Sequence, residues 1–313
     1  MKTKKYPIFL STWSVNKLIF NGRLPLTRFP EFCRKNGFDG MEINDSFLAK
    51  LSMHEQKELE HRIRESELSV SLAITNDFTI TEPPLLETQH NHVEKLLAFG
   101  YDIGIISARI YVGGKSKLAH KLWQRQLAKK QPQTKAASNK KPSNHIFRFL
   151  MHHRFRKMRE LVGNRLFARQ NLDSNTFEHV RIQIHRALSI AEKYEFPLVI
   201  ENHGGYSEKP ENLLRFIHAV NSARLGLCPD IGNFPPSINR YQALEQLLPY
   251  AQIIHTKSYE FSVKGEETSI EYGRIMGIIK KSGFSGPLVV EFEGPGDPVK
   301  NSLKTKQLIE RFL

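Results

Sequence analysis

The chain is expected to fold as an α/β protein, a (β/α)8 TIM barrel with one basic insertion after its fourth strand. Three observations lead there. Eight short apolar segments, at 7–12, 39–43, 69–74, 105–111, 197–201, 225–230, 252–256 and 287–291, are rich in Ile, Val, Leu and Phe. They lack the strict polar alternation of a half-exposed antiparallel strand, as parallel strands covered on both faces should. Helical patterns run between them. Finally, 55 of the 313 residues, from 115 to 169, differ in composition from all the rest. The remaining 258 come close to the ~250 residues of a single barrel.

The punctuation between the strands follows helix chemistry. Gly37 stops a helix after the first strand, and Ser52 with Glu55 forms a capping box that opens the next. Pro83, Pro84 and Pro210 stand where helices begin, and Gly100 and Gly283 where they end. Over 176–195, Val180, Ile184, Leu188 and Ala191 recur at helical spacing, and the Phe196-Pro197 step closes the pattern. A doubly wound open sheet alternates in the same way. Eight consecutive units with no Gly-rich phosphate turn after the first strand favour closure into a barrel instead. Residues 1–313 are therefore read as a single barrel domain, with 115–169 inserted in it.

A composition of 40% hydrophobic and 25% charged residues excludes fibrous and wholly disordered classes. No window holds the ~18 uninterrupted apolar residues of a membrane-spanning helix. The opening Met1-Lys-Thr-Lys-Lys-Tyr-Pro leads into an apolar strand rather than reading as a signal peptide, so the cytoplasm is the expected address. Cys33 and Cys228 make no disulfide framework and have no second Cys at metal-ligand spacing. The net charge of +14 resembles a nucleic-acid signature until it is located: 115–169 holds sixteen Lys or Arg against one acid, Glu160, while the other 258 residues carry 30 basic and 31 acidic groups. A near-neutral body thus carries one basic insertion. Within that insertion, 131–144 has the composition of an unfolded segment, and Ile146, Phe149, Leu150, His153, Met158 and Leu161 pattern a basic amphipathic helix.

Four strand ends in the second half of the body finish in ligand-type residues: Glu201, Asp230, His255 and Glu291. Their separations of 29, 25 and 36 residues each match about one strand-plus-helix unit, so a closed barrel would turn all four toward one mouth. A carboxylate just past a strand is, taken alone, most often a cap or a solvated turn residue. Three carboxylates converging at a barrel mouth would raise one another's pKa unless a cation neutralised them, which makes a divalent metal site the economical reading. Oxygen ligands with one imidazole suit Mn²⁺, Mg²⁺, Co²⁺ or Zn²⁺, and the absence of thiolates argues against a structural zinc.

The motifs Glu-Asn-His-Gly (201–204), Cys-Pro-Asp-Ile-Gly-Asn-Phe (228–234), His-Thr-Lys (255–257) and Glu-Phe-Glu-Gly (291–294) together resemble the sugar phosphate isomerase/epimerase superfamily of xylose isomerase-like barrels. That superfamily also holds ketose 3-epimerases, inosose dehydratases and endonuclease IV. The resemblance covers 7–114 and 176–313 and leaves out the insertion. It implies that Glu201, Asp230, His255 and Glu291 bind one divalent metal, manganese before the others. It also implies a metal-stabilised enediolate formed from a sugar, sugar phosphate or cyclic polyol, with Glu201 and Glu291 as acid and base on opposite faces of the substrate. Dehydration starts from the same enediolate.

Supporting residues follow from their places. His203 and Lys257, each two residues beyond a ligand, point to the same face of an extended strand end and are candidate substrate contacts. Arg109, a charge inside an apolar strand, needs a partner and can clamp substrate or a ligand carboxylate. Glu42, Asn76 and Asp77 end early strands as further polar candidates, and Trp13 can wall the pocket. Asn233 joins the substrate-binding set and also marks a departure, because several epimerases and the nuclease branch place a His there. With Glu42, Asn44, Asn76 and Asp77 in place of the nuclease branch's histidines, a three-metal phosphodiesterase site is not expected. The insertion leaves four readings open: contact with nucleic acid or an anionic surface, with Trp123, Phe147, Phe149 and Phe155 interleaved among the basic residues; a lid over anionic substrate; contact with a partner subunit in an oligomer; or a charged loop that is simply solvated.

Overall fold

The computed structural model describes residues 6–114 and 172–313. Among these, eight strands follow one another: β1 (Ile8–Ser11), β2 (Gly40–Asn44), β3 (Ser69–Ala73), β4 (Ser107–Ile110), β5 (Leu198–Glu201), β6 (Leu225–Cys228), β7 (Ile254–Ser258) and β8 (Leu288–Phe292). They form one sheet in the order β6-β5-β4-β3-β2-β1-β8-β7, with each adjacent pair parallel. The cylinder closes between β6 and β7. There Leu227 bridges to Ala251 and Asp230 to His255, and the N–H groups of Gln252 and His255 donate to the carbonyls of Leu227 and Pro229 at 3.0 Å each. Two of the four expected ligands therefore meet on the closing seam.

Helices join successive strands as the punctuation predicts. Ser52 and Glu55 form their reciprocal capping box at the start of Met53–Ser66, and Pro83 and Pro210 open Pro83–Ile103 and Pro210–Val220. Val180, Ile184, Leu188 and Ala191 lie on the buried face of Ser174–Glu192. Gly100 does not end its helix. The helix continues for another turn to a left-handed cap at Gly104, φ 68°. Gly100 is instead a packing glycine, since a Cβ there would lie 2.5 Å from Ile105 Cδ1 and 3.2 Å from Leu72 Cδ1. The seventh strand also runs two residues further than its apolar segment. Lys257 and Ser258 remain in it because both are bonded inside the fold, Ser258 to Thr305 at 2.6 Å.

Alternation along the strands sets up the site. Ile8 and Leu10 join the large core shared with the helices. Between them Phe9 belongs to a second cluster with Val199, Cys228, Ile253 and Val289, which plugs the barrel interior. Two residues further along the same five strands stand Ser11, Glu201, Asp230, His255 and Glu291; two further again stand Trp13, His203, Gly232, Lys257 and Glu293. A period of two thus stacks an apolar floor, a polar layer and an upper polar rim.

Candidate metal centre

Glu201, Asp230, His255 and Glu291 come together as their spacing predicts. Each offers one ligand atom, and these atoms all lie within 4.8 Å of one another. His255 Nδ1 is the hub, 3.6 Å from Glu201 Oε1, 3.8 Å from Asp230 Oδ2 and 3.5 Å from Glu291 Oε2. Behind the ring, Nε2 lies 2.9 Å from Glu42 Oε2. Burial works to lower the imidazole, but its surroundings, Cys228 and Glu42 among them, raise it well above its ordinary value. In the neutral ring with Nε2–H donating to Glu42, Nδ1 would turn its lone pair to the three carboxylates, the arrangement in which a carboxylate orients a metal-binding imidazole. His255 Nδ1 is buried and has no hydrogen-bond partner, so its environment calls for a cation.

Charge gives the same answer. Glu42, Glu201, Asp230 and Glu291 are buried carboxylates, and Arg109 and Lys257 are buried cations among them. With all four carboxylates ionised and His255 neutral, the state an ion would bind, Arg109 and Lys257 leave two negative charges uncompensated, a deficit that one divalent cation would close. Burial works to raise the Glu201 carboxyl, but Arg109, with Nη1 2.6 Å from Glu201 Oε2, together with His203 and His255 outweighs it and holds Glu201 well below the ordinary range. Glu291 is lowered in the same way, chiefly by Lys257 working against burial. At Asp230 burial prevails over Lys257 and pushes the carboxyl up to about 7. Burial also lifts the neighbouring Cys228 thiol to about 11, which leaves it protonated at neutral pH.

The expected substrate contacts divide. Glu42 is fully buried, with its Oε1 accepting from Ser11 Oγ at 3.0 Å. Its other oxygen holds His255, so both oxygens are engaged inside the fold. Arg109 clamps Glu201, as one of its two expected roles had it, and lies over the Tyr111 ring at 4.5 Å. Asn233 donates to Glu201 Oε1 at 2.9 Å and accepts from Lys257 Nζ at 3.0 Å. Lys257 is buried against Asp230 and Glu291, at 2.9 Å from each. His203 is half-buried and stacks on Tyr111 with ring centroids 4.6 Å apart. Asn76 pairs with the backbone of Tyr111 in both directions, and Asp77 accepts from the Thr79 N–H within its own turn and from the Gly114 N–H in the loop after β4. Both are structural.

Three contributors escaped the sequence reading. Glu293 accepts from Trp13 Nε1 at 2.7 Å and from Lys257 Nζ at 3.3 Å. Tyr111 separates Arg109 from His203. Asn202 clamps the Asp230 backbone, accepting from its N–H at 2.6 Å and donating to its carbonyl at 3.0 Å. The period of two marks Glu293 and Tyr111, each two residues beyond a site residue. For Asn202 the chain carries no signal, because its partner sits on the next strand.

A sequence profile of the xylose isomerase-like TIM barrel family matches residues 153–312. No curated protein matches the sequence. Among solved structures, the apo form of 3-keto-D-glucoside 4-epimerase from E. coli superposes with a TM-score of 0.65 at 12% identity, covering 99% of this chain and 100% of that one. A D-tagatose 3-epimerase-like protein gives 0.67 at 16% identity, covering 98% of each. D-allulose 3-epimerase from Methylomonas sp., in complex with D-allulose, gives 0.66 at 12% identity over 99% of this chain and 98% of that one. At these identities the likeness is one of fold.

Proposed function

The chain belongs to the xylose isomerase-like TIM barrel family, and on that premise we propose that it is a divalent-metal-dependent isomerase or epimerase of a sugar, sugar phosphate or cyclic polyol. One observation carries the reading: ligand atoms from four strand ends, remote in sequence, lie within 4.8 Å of one another around a buried imidazole nitrogen with no hydrogen-bond partner. Glu201, Asp230, His255 and Glu291 would hold the ion, with Mn²⁺ first and Mg²⁺, Co²⁺ or Zn²⁺ as the other fits to this donor set. When bound, such an ion supplies Lewis acidity to the carbonyl and hydroxyl oxygens of a ketose, lowering the cost of removing the proton between them.

The protein's own groups do the rest. Glu201 and Glu291, on β5 and β8, are ionised at neutral pH because Arg109 and Lys257 stand beside them. One accepts the proton from carbon and the other returns a proton from the second side, which inverts that centre; return to the neighbouring carbon moves the carbonyl. His203, on the half-buried rim with Tyr111, is the candidate to hold a substrate hydroxyl. The test is solvent deuterium exchange into a panel of ketoses, keto sugars and inososes. Exchange should depend on added Mn²⁺ and vanish in Glu291→Gln. Exchange accompanied by loss of water and a new conjugated absorbance would assign dehydration at the same centre. Absence of exchange across the panel, with metal bound, would defeat both.

Residues 115–169 lie outside the described residues. From their charge alone, we propose contact with a polyphosphate surface, nucleic acid or anionic lipid. Deleting 115–169 should abolish salt-dependent retention on either surface while leaving metal content at the wild-type level.

A further inference from the structure

Lys257 stands where the charges of the cradle meet. The strand register sets it directly across from Glu291, and its Nζ lies 2.9 Å from Glu291 Oε2 and 2.9 Å from Asp230 Oδ2. Those two oxygens are the ones that face His255 Nδ1, at 3.5 and 3.8 Å. The same atoms therefore serve the ammonium now and would serve a divalent ion. Asn233 Oδ1 at 3.0 Å and Glu293 Oε1 at 3.3 Å complete the surroundings of Nζ.

This lysine is built into the barrel. Its side chain is 1% exposed, and its stem passes Gly232 so closely that a Cβ there would lie 2.8 Å from Lys257 Cβ, Cγ and Cδ. A group held this way loses little entropy on ordering its partners, and it gives Asp230 and Glu291 a positive charge before any ion arrives. An ammonium and a divalent ion drawn to the same two oxygens also repel each other over a few ångströms of poorly screened space.

Resting on the metal reading above, we propose that Lys257 is a resident counter-cation of the cradle: it preorganises Asp230 and Glu291 and competes with the divalent ion for them, so that it limits how tightly the centre holds its metal. The experiment is calorimetric titration of Mn²⁺ into metal-stripped wild type, Lys257→Met and Lys257→Arg, with thermal melts of the stripped and loaded forms. Lys257→Met should bind Mn²⁺ about tenfold tighter or more, and its stripped form should melt below stripped wild type. Lys257→Arg, which keeps the charge, should show no such tightening. A Met variant that binds Mn²⁺ no tighter than wild type overturns the proposal and leaves the metal reading standing, whereas failure of wild type and variants alike to bind Mn²⁺ removes both. Should the Met variant not fold, Lys257→Gln replaces it with the same expected tightening.

Discussion

The two halves of the barrel share one architecture and divide the chemistry between them. From β5 to β8 come the groups that face the shared space: Glu201, Asp230, His255 and Glu291. From β1 to β4 come groups that hold them, Ser11 on Glu42, Glu42 on His255 and Arg109 on Glu201, beside Asn202, Asn233 and Lys257 from the second half. Equal burial therefore does not mean equal function. Glu42 is as deeply buried as Asp230, yet its oxygens are taken by Ser11 and His255, while Asp230 Oδ2 is met by the Lys257 ammonium at 2.9 Å. A carboxylate saturated by neutral donors orients a neighbour; one left with lone pairs can bind an ion.

That division can be broken by experiment. The largest effect belongs to the ligand half: His255→Ala should retain no metal after dialysis, and turnover should fall to background with it. Next comes Arg109→Met, which strips the counter-charge from buried Glu201 and should cost about 3–5 kcal/mol of stability in chemical denaturation. Glu42→Gln should fold and still bind metal, but about 10–100-fold more weakly in competitive titration. If it lost metal as completely as His255→Ala, Glu42 would have to be counted among the ligands and the contrast between the halves would fail.

A finer test uses pH. The Asp230 carboxyl titrates near 3.8 when exposed and at about 7 in the fold, so between these values the folded metal-free protein holds a proton that the unfolded chain has released. Stability of the metal-free protein should therefore decline as pH rises from about 4 through Asp230, and decline further above about 6.5 through His255, whose imidazole is also raised in the fold, with the part below about 6 abolished in Asp230→Asn. Glu201 and Glu291 shift the opposite way, and their contribution is complete above the ordinary carboxylate range. Thermal melts across pH 5–8, with and without Mn²⁺, should show the gap between the two forms widening as pH rises. Smallest is Trp13→Phe, which deletes the indole donor to Glu293. It should cost about 1 kcal/mol and leave Mn²⁺ affinity unchanged, as expected of a rim residue.

Much of this arrangement could be read along the chain because it is local in period. Apolar segments with helices between them specify the eight strands, and capping chemistry at Ser52, Pro83 and Pro210 specifies where helices begin. The step of two from Val199 to Glu201 to His203, repeated from Val289 to Glu291 to Glu293, already contains floor, ligand layer and rim. Gly100 misled because a helix-ending glycine and a close-packed glycine are the same letter; the close approach of Ile105 and Leu72 tells them apart.

The sequence by itself determined the barrel, the order of its parts and which four residues end up at one mouth. Which partner each charge meets there depends on packing between strands distant in the chain. Whether Arg109 meets substrate or Glu201, whether Glu42 binds or orients, and whether Lys257 faces solvent or the cradle depend on the stagger between strands and on the closing seam of β6 and β7. The physical reason is that the energy of a buried charge depends on its distance to other charges and on the exclusion of water, and neither quantity exists until strands far apart in the chain have been brought side by side.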